Sequence, residues 1–338
     1  MSVLISLIIF IILVCIPWVG VGLLGLKGLF GIVIPYLCFL IFILGLIYRI
    51  IYWAKSPVSY KIPTVCGQQK SLSWIKHSRL ESPFTTWEVI LRMFLEIVFF
   101  RSLFRNLRAE LSGRRLIYGS AKWLWLGAIL FHWSFFIILL RHIRLFTYPV
   151  PGFIQKLDFL DSFLQTLGVP PLYITDILIL AGLTFLLLRR IIDPKVSYLS
   201  YVSDFFPLFL IIGIVLSGIL MRYYWKVDLY AIKQLTIGLA TLHPVIPENA
   251  EIGTIFYIHL FLVSSLAAYF PFSKLVHMVG VFFSPTRNMP NNNRYKRHVN
   301  PWEYPVKHLS FAEYQERFRE VMEQAGIPID EEAVKEEH

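Results

Sequence analysis

The chain has 338 residues, 56% of them hydrophobic, and its mean hydropathy is +0.61. This composition excludes an ordinary soluble domain, because several apolar runs are long enough to span a bilayer. The net charge of +10 does not indicate a nucleic-acid partner, because the basic residues are concentrated in particular connections between the apolar runs.

Six apolar segments are predicted to cross the membrane: residues 2–24, 29–52, 122–146, 172–192, 205–223 and 252–274. The predicted fold class is therefore an all-α, polytopic membrane helix bundle. The first segment lacks a positively charged start and a small residue before Cys15, so we interpret it as a retained helix.

The distribution of charge predicts the orientation in the cytoplasmic membrane. Residues 49–120 carry twelve Lys and Arg against four Asp and Glu, whereas 144–171 and 223–251 are near neutral. Because cytoplasmic segments of membrane proteins are enriched in Lys and Arg, we expect 49–120, 189–204 and the C-terminus in the cytoplasm. With six spans, the N-terminus is cytoplasmic too.

The chain is predicted to divide into four regions. Residues 1–53 form a transmembrane hairpin that packs against its neighbours, and 54–121 form a cytoplasmic loop. Within the loop, charges recur every three to five residues over 86–108, which predicts an amphipathic helix in the membrane interface with snorkelling arginines. A seventh span is the weaker alternative, because Arg92 and Glu96 would lie near its middle.

The third region, 122–280, contains four spans and four histidines within or beside its apolar runs. His132 and His142 belong to one span, and His259 and His277 belong to the last. An imidazole within hydrocarbon needs a partner for its nitrogens. Transporters also use membrane histidines, but they usually add membrane carboxylates and repeated halves, which this sequence lacks.

The spacing of the histidines predicts two pairs. On a continuous helix, the ten residues from His132 to His142 span roughly 15 Å, and the eighteen from His259 to His277 span roughly 27 Å, or about five turns. The rises differ, so either the helices cross at a tilt or one is irregular. If they are antiparallel, His142 faces His259 and His132 faces His277, which favours two axially ligated haems.

These histidines carry a family resemblance. Their order and spacings, together with the run Pro271-Phe-Ser-Lys-Leu-Val-His277, resemble the dihaem cytochrome b subunit of respiratory nitrate reductase, the gamma subunit, over roughly residues 28 to 285. The additional N-terminal span, the basic loop and the tail make the chain similar to the related M subunit of the membrane complex associated with dissimilatory sulfite reduction.

The resemblance implies a bundle that encloses two stacked haems b, ligated by His142 with His259 and by His132 with His277. It also implies electron transfer between menaquinone and a cytoplasmic heterodisulfide-reductase-like iron–sulfur subunit in sulfur or sulfite metabolism, beside other membrane and extracytoplasmic redox subunits. The alternatives are a gamma subunit of a nitrate-reductase-like enzyme and a non-redox membrane transporter.

A quinol site is expected beside the outer haem. Candidates from the sequence are Arg144, Lys156, Asp161 and His243, with Arg141 or Arg144 as a partner for a haem propionate. Cationic residues at the outer edge also serve as interface anchors.

The remaining polar features have structural interpretations. Asp176 and the pair Ser203-Asp204 are predicted to cap the fourth and fifth spans. Three scattered cysteines cannot hold an iron–sulfur cluster, so any cluster belongs to a partner. Residues 281–338 are predicted to be a cytoplasmic tail whose basic and aromatic segment, 294–305, binds a partner protein, with a helix over 309–325 and a solvated acidic end.

Overall fold

The computed structural model describes residues 1–56, 67–162, 172–247, 252–296 and 308–329. Fourteen α-helices in this part of the chain are α1 Ser2–Gly22, α2 Ile34–Ala54, α3 Thr86–Phe99, α4 Arg101–Arg105, α5 Lys122–His142, α6 Gly152–Asp161, α7 Ile174–Ile192, α8 Pro194–Tyr198, α9 Val202–Tyr223, α10 Leu229–Ala240, α11 Thr254–Tyr269, α12 His277–Gly280, α13 Pro285–Asn288 and α14 Phe311–Gln324. Two strands, β1 Leu107–Ser112 and β2 Arg115–Ser120, form one antiparallel hairpin.

Five helical segments are long and apolar enough to cross a membrane: Ser2–Gly22, Leu29–Ala54, Lys122–Leu145, Val202–Tyr223 and Thr254–Phe272. The remaining predicted span is the 19-residue helix α7, which is less apolar because it carries Asp176 near its start and Arg189 and Arg190 near its end. The fold is therefore a helical membrane bundle, as predicted, and the membrane passage of α7 stays a prediction.

The long helices pack in two groups. Helix α5 packs against α7, and α11 packs against α1, α2 and α9, while α7 also contacts α9. Helices α5 and α11 are not among the closely packed helix pairs of the described residues. The contact between α7 and α9 therefore joins the group that contains α5 to the group that contains α11.

The N-terminal hairpin has the predicted form. Helix α1 turns at Gly25, whose φ of +66° suits glycine, and a π-helical segment, Leu29–Val33, leads into α2. Phe30 packs against Gly20, where an added Cβ would lie 2.3 Å from the Phe30 ring. This close approach holds the π-helical segment against the end of α1, and both α1 and α2 pack on α11.

The predicted helix over 86–108 is shorter in the structure. Helix α3 begins with a capping box between Thr85 and Glu88 and ends at Phe100, which has a left-handed backbone with φ of +50°. Arg92 is buried rather than snorkelling. Glu96 lies 2.8 Å from Arg287 of the segment that follows the last span. The sequence pattern missed both the break and the tertiary ion pair.

The β-hairpin was not predicted. Its strands pair from Leu107 with Ser120 to Ser112 with Arg115, and Gly113 begins the two-residue connection with φ of +61°. Glycine with positive φ at the first turn position is typical of tight hairpins, so Gly113 was the available sequence signal. The interfacial-helix prediction covered the first two residues of β1.

The last span is irregular between His259 and His277, which is one of the two alternatives that the unequal histidine spacings left open. Helix α11 ends at Tyr269, and 3-10 turns occupy Phe270–Phe272 and Lys274–Val276 before α12 begins at His277. Pro271 cannot donate a helical hydrogen bond, and Ser273 is extended. The irregularity resolves the mismatch between the two histidine spacings.

Two predicted helix caps also differ. Tyr173, not Asp176, is the N-cap of α7, and the Asp176 carboxylate accepts a hydrogen bond from the Tyr223 hydroxyl at 2.9 Å. Tyr201 is the N-cap of α9, and its backbone N–H donates to Asp204 at 3.0 Å. Both carboxylates lie in the first turn of their helices, and Asp204 caps the start of α9 as the third-position member of its capping box.

The start of the tail packs on the loop before α3. The Asn291 backbone N–H donates to the Pro83 carbonyl at 2.5 Å, and its side chain donates to the Ser82 hydroxyl at 2.7 Å. Helix α14 confirms the helix expected over 309–325, and Ser310 and Glu313 form its capping box. Most of the predicted partner-binding segment, 297–305, and the acidic end from residue 330 lie outside the described residues.

Candidate functional site

The structure brings the four histidines together in the two expected pairs. The ring centres of His142 and His259 are 6.3 Å apart with an angle of 11° between the ring planes. Those of His132 and His277 are 6.1 Å apart with an angle of 83°. His132 and His142 lie on α5, so the pairs are separated by roughly 15 Å along that helix.

These distances fit one metal ion between each pair. Two imidazole–metal bonds of about 2.0 Å, together with roughly 1.1 Å from each ring centre to its nitrogen, give roughly 6.2 Å between ring centres. No group of three or more His, Cys, Asp or Glu side chains that could hold a metal occurs among the described residues. A metal between two imidazoles therefore needs further ligands from outside the protein, which a porphyrin supplies.

Hydrogen bonds fix the tautomer of three imidazoles. The Nδ1 atoms of His132 and His142 lie 2.8 and 2.7 Å from the carbonyl oxygens of Ala128 and Ile138, one turn earlier on α5. The Nδ1 atom of His277 lies 2.8 Å from the Lys274 carbonyl oxygen. Since a carbonyl only accepts, each Nδ1 carries the proton and each Nε2 keeps a lone pair.

His259 reaches the same state through a different partner. Its Nδ1 lies 2.9 Å from the hydroxyl of Ser217 on α9, and that hydroxyl donates to the Gly213 carbonyl at 2.8 Å. With its only proton engaged, the serine oxygen accepts from the imidazole N–H. Nε2 of His259 is therefore also free to bind a metal, as a ligating histidine requires.

The run that carries the family resemblance has a structural role at every polar position. Pro271 ends the helix, and its carbonyl accepts a hydrogen bond from Arg49 at 3.2 Å. The Ser273 hydroxyl caps the next turn, and Lys274 pairs with Asp204 at 2.7 Å. Together these contacts place His277 opposite His132.

Two aromatic rings lie beside the pair of His132 and His277, which we call the inner pair. The centres of the Phe100 and Phe131 rings lie 5.0 and 4.7 Å from that of His132. At the other pair, a Cβ added to Gly218 would lie 3.5 Å from Cε1 of His259. A planar ligand between the histidine rings would therefore contact aromatic side chains at one pair and a glycine at the other.

The predicted quinol-site residues Arg144 and Asp161 belong to an ion-pair network at the end of α5 that carries His142. Arg141, which is buried, pairs with Asp161, and Asp161 accepts hydrogen bonds from the backbone N–H and the hydroxyl of Thr175 at 2.8 and 2.6 Å. Arg144 lies 2.7 Å from Asp158. These contacts join α6 to α5 and α7.

The charges in this network influence one another. Burial raises the pKa of Asp158, but the hydrogen bond from Arg144 and the positive charge of Arg144 lower it by more. The pKa of Asp158 therefore lies below its ordinary value. Arg141 and Arg222 each lie 3.6 Å from the ring centre of Tyr173. The network therefore holds two cations against one aromatic ring.

The other two quinol-site candidates lie elsewhere. Lys156 is exposed on α6, and His243 is exposed after α10, where its Nδ1 lies 2.7 Å from the Thr241 carbonyl. The structure adds Ser217 and Phe100, which the sequence interpretation did not select. In the sequence, Ser217 could have been selected because it is a polar residue within an apolar span. Phe100 carries no such signal, because only the break in the backbone after α3 marks it.

Comparisons with known proteins agree with the histidine pattern. The family model described as nitrate reductase gamma subunit matches residues 95–292. A protein of Archaeoglobus fulgidus named Hdr-like menaquinol oxidoreductase cytochrome b-like subunit is 49% identical over 281 residues, covering 81% of this chain and 83% of that protein. A protein of the same name from Archaeoglobus profundus is 44% identical, with 80% and 81% covered.

Proposed function

Because the chain belongs to the nitrate reductase gamma subunit family, we propose that it carries electrons through two bis-histidine haems b, from menaquinol to a cytoplasmic partner. The observation that carries this proposal is the geometry of the two imidazole pairs, with ring centres 6.3 and 6.1 Å apart and all four Nδ1 atoms engaged. The two relatives are named as parts of a menaquinol oxidoreductase, which supports the donor.

His142 and His259 would hold the outer haem, and His132 and His277 the inner one. When bound, haem b would supply reversible one-electron chemistry at its iron, and with two imidazole ligands it would have no coordination position left for a substrate. The protein orients each imidazole through Nδ1 and surrounds the inner pair with apolar rings. The buried cation Arg141 precedes the outer ligand His142 by one position and adds positive charge at that end.

Menaquinol is the electron donor in this proposal, and its oxidation to menaquinone releases two electrons and two protons. The outer pair lies at the end of the bundle with few basic loops, so the protons are released outside as electrons move inward. Arg144, Lys156, Asp161 and His243 remain the proposed quinol-site residues. Of these, Lys156 and His243 are exposed, while Arg144 and Asp161 also have structural ion pairs.

The partner proposed for the inner end is a heterodisulfide-reductase-like iron–sulfur subunit within a larger membrane complex of sulfur or sulfite metabolism. The Hdr-like names of both relatives support this choice over a nitrate-reductase-like enzyme. The non-redox transporter alternative has no comparable support.

Haem content of purified variants tests the proposal. The wild-type chain is expected to show a b-type difference spectrum with two haems, and His259→Ala and His277→Ala one haem each. His243→Ala, which changes an exposed histidine outside the pairs, is the matched control and keeps both haems. The absence of a b-type signal from the wild-type chain contradicts the proposal.

Menaquinol-driven reduction in the same variants tests the order of the haems. His277→Ala is expected to leave the outer haem reducible while abolishing delivery to the partner, whereas His259→Ala blocks reduction by quinol. If His277→Ala retains an intact haem that quinol no longer reduces, the quinone enters near the inner haem and the proposed order is wrong.

A further inference from the structure

The β-hairpin has one polar and one apolar face. In its register, residues opposite each other share a face, so Leu107, Leu111, Leu116 and Tyr118 lie together with Ala109 and Ser120. We call these four large side chains the apolar face. The opposite face carries Arg108 and Glu110.

The polar face is turned toward the rest of the chain. Arg108 lies 3.4 Å from Asp193 at the end of α7, and Lys195 of α8 lies 3.7 Å from Glu110. Arg108 also lies 3.0 Å from Glu110. These contacts hold the face that carries Arg108 and Glu110 toward α7 and α8.

The apolar face therefore points away from the protein. Its residues are 60% (Leu107), 73% (Leu111), 56% (Leu116) and 63% (Tyr118) exposed. A two-stranded hairpin is marginally stable alone, and both its edges offer unpaired backbone groups. A contiguous apolar patch on such an element marks an interaction surface.

We propose that the apolar face is the docking surface for a soluble iron–sulfur protein with an acidic rim around an apolar patch. The acidic rim follows from two exposed arginines at the tip of the hairpin, Arg114 in the turn and Arg115 beside it on the polar face, which form no ion pair with any described residue. The electron-accepting character rests on the proposed function, because the inner histidine pair lies at this end of the bundle.

Continuity of the chain links this surface to the inner pair. The Ala121 backbone N–H donates to the Asn106 carbonyl at 3.3 Å and closes the base of the hairpin, and α5 begins at the next residue. His132 follows ten residues later, roughly 15 Å along the helix. A protein bound to the hairpin therefore lies beside the start of the helix that carries an inner ligand.

A protein partner explains the surface better than lipid does. Inserting the apolar face into hydrocarbon would expose the unpaired backbone groups of both strand edges to a solvent that cannot hydrogen-bond them. A protein can bury the same side chains and pair one edge with a strand of its own.

Binding of the purified iron–sulfur subunit to the full-length chain in nanodiscs tests the proposal. Leu111→Thr with Leu116→Thr, which preserves strand propensity, is expected to raise the Kd at least ten-fold. The matched control changes the polar face of the same strands, Ser112→Thr with Ile117→Thr, and is expected to change the Kd less than two-fold. An equal effect of both pairs overturns the proposal.

A fluorescent probe at a cysteine replacing Tyr118, in a chain without its native cysteines, distinguishes lipid from protein. A blue shift that appears only after the iron–sulfur subunit is added supports docking. A blue shift in nanodiscs alone assigns the surface to lipid and overturns the proposal. Haem content and quinol-driven reduction are measured in every variant, so that a failure of the proposed function is recognised separately.

Discussion

Ser217 distinguishes His259 from the other three imidazoles, whose Nδ1 atoms face backbone carbonyls. A mutation can remove a serine hydroxyl but not a carbonyl, so this hydrogen bond is open to a direct test. Because hydrogen bonding at Nδ1 makes an imidazole a more basic ligand, it stabilises the oxidised metal.

Ser217→Ala is therefore expected to raise the midpoint potential of the outer haem, by on the order of tens of millivolts, and to leave the inner haem unchanged. The control is Ser264→Ala, which removes a buried serine hydroxyl from α11, the helix that carries His259. Spectroscopic redox titration measures both potentials. Equal shifts in both haems would indicate a general structural effect instead.

The ring planes give a second prediction for individual residues. Those of His142 and His259 are nearly parallel at 11°, and those of His132 and His277 nearly perpendicular at 83°. Since the relative orientation of axial imidazoles sets the splitting of the iron d orbitals, we expect two distinct low-spin ferric signals in electron paramagnetic resonance. The more anisotropic signal is expected to disappear in His277→Ala.

Among the elements, α6 is held to the bundle by the buried pair of Arg141 and Asp161. Asp161→Asn removes the closer of the two carboxylates that pair with Arg141, the other being Asp158 at 3.4 Å. Breaking a lone buried pair costs about 3–5 kcal/mol, so a smaller loss is expected here, seen as a lower melting temperature in detergent. Lys156→Gln, on the exposed face of the same helix, is the control. An unchanged melting temperature with a raised KM for menaquinol would instead favour the quinol role of Asp161.

The start of α3 provides a pH-dependent prediction. Burial raises the pKa of Glu88, but hydrogen bonds from the backbone N–H groups of Phe84 and Thr85 and the charge of His77 outweigh it, so the pKa is lowered from 4.5. The stabilisation is present above about pH 4.5 and is lost as the pH falls through the lowered pKa. Glu88→Gln is expected to lower the melting temperature at pH 7, with a smaller difference from wild type below pH 4. A constant difference contradicts the prediction.

At the scale of the whole molecule, the structure shows which segments share an end of the bundle. Ser6 of α1 contacts the Val202 carbonyl at the start of α9, and Arg49 of α2 contacts Pro271 after α11. The opposite end brings Tyr36 of α2 to the Leu239 carbonyl of α10. The charge distribution then predicts that the end containing Arg49 is cytoplasmic.

Labelling of single-cysteine chains in intact cells measures this orientation. A membrane-impermeant reagent is expected to modify a cysteine at Lys226 and to spare one at Lys70. Lys226 lies three residues after the end of α9, and Lys70 lies in the loop before α3. The reverse labelling pattern would invert the proposed electron path.

Local sequence patterns determined the apolar helices, the four histidines and their order, because hydrophobic run length and residue identity are properties of neighbouring positions. Tertiary structure alone decided how His277 reaches His132, since Pro271 breaks the helix and contacts with Arg49 and Asp204 hold the turns that follow. It also paired His259 with Ser217 and turned the apolar face of the hairpin outward. These features join residues far apart in the chain, where no local period specifies the partner.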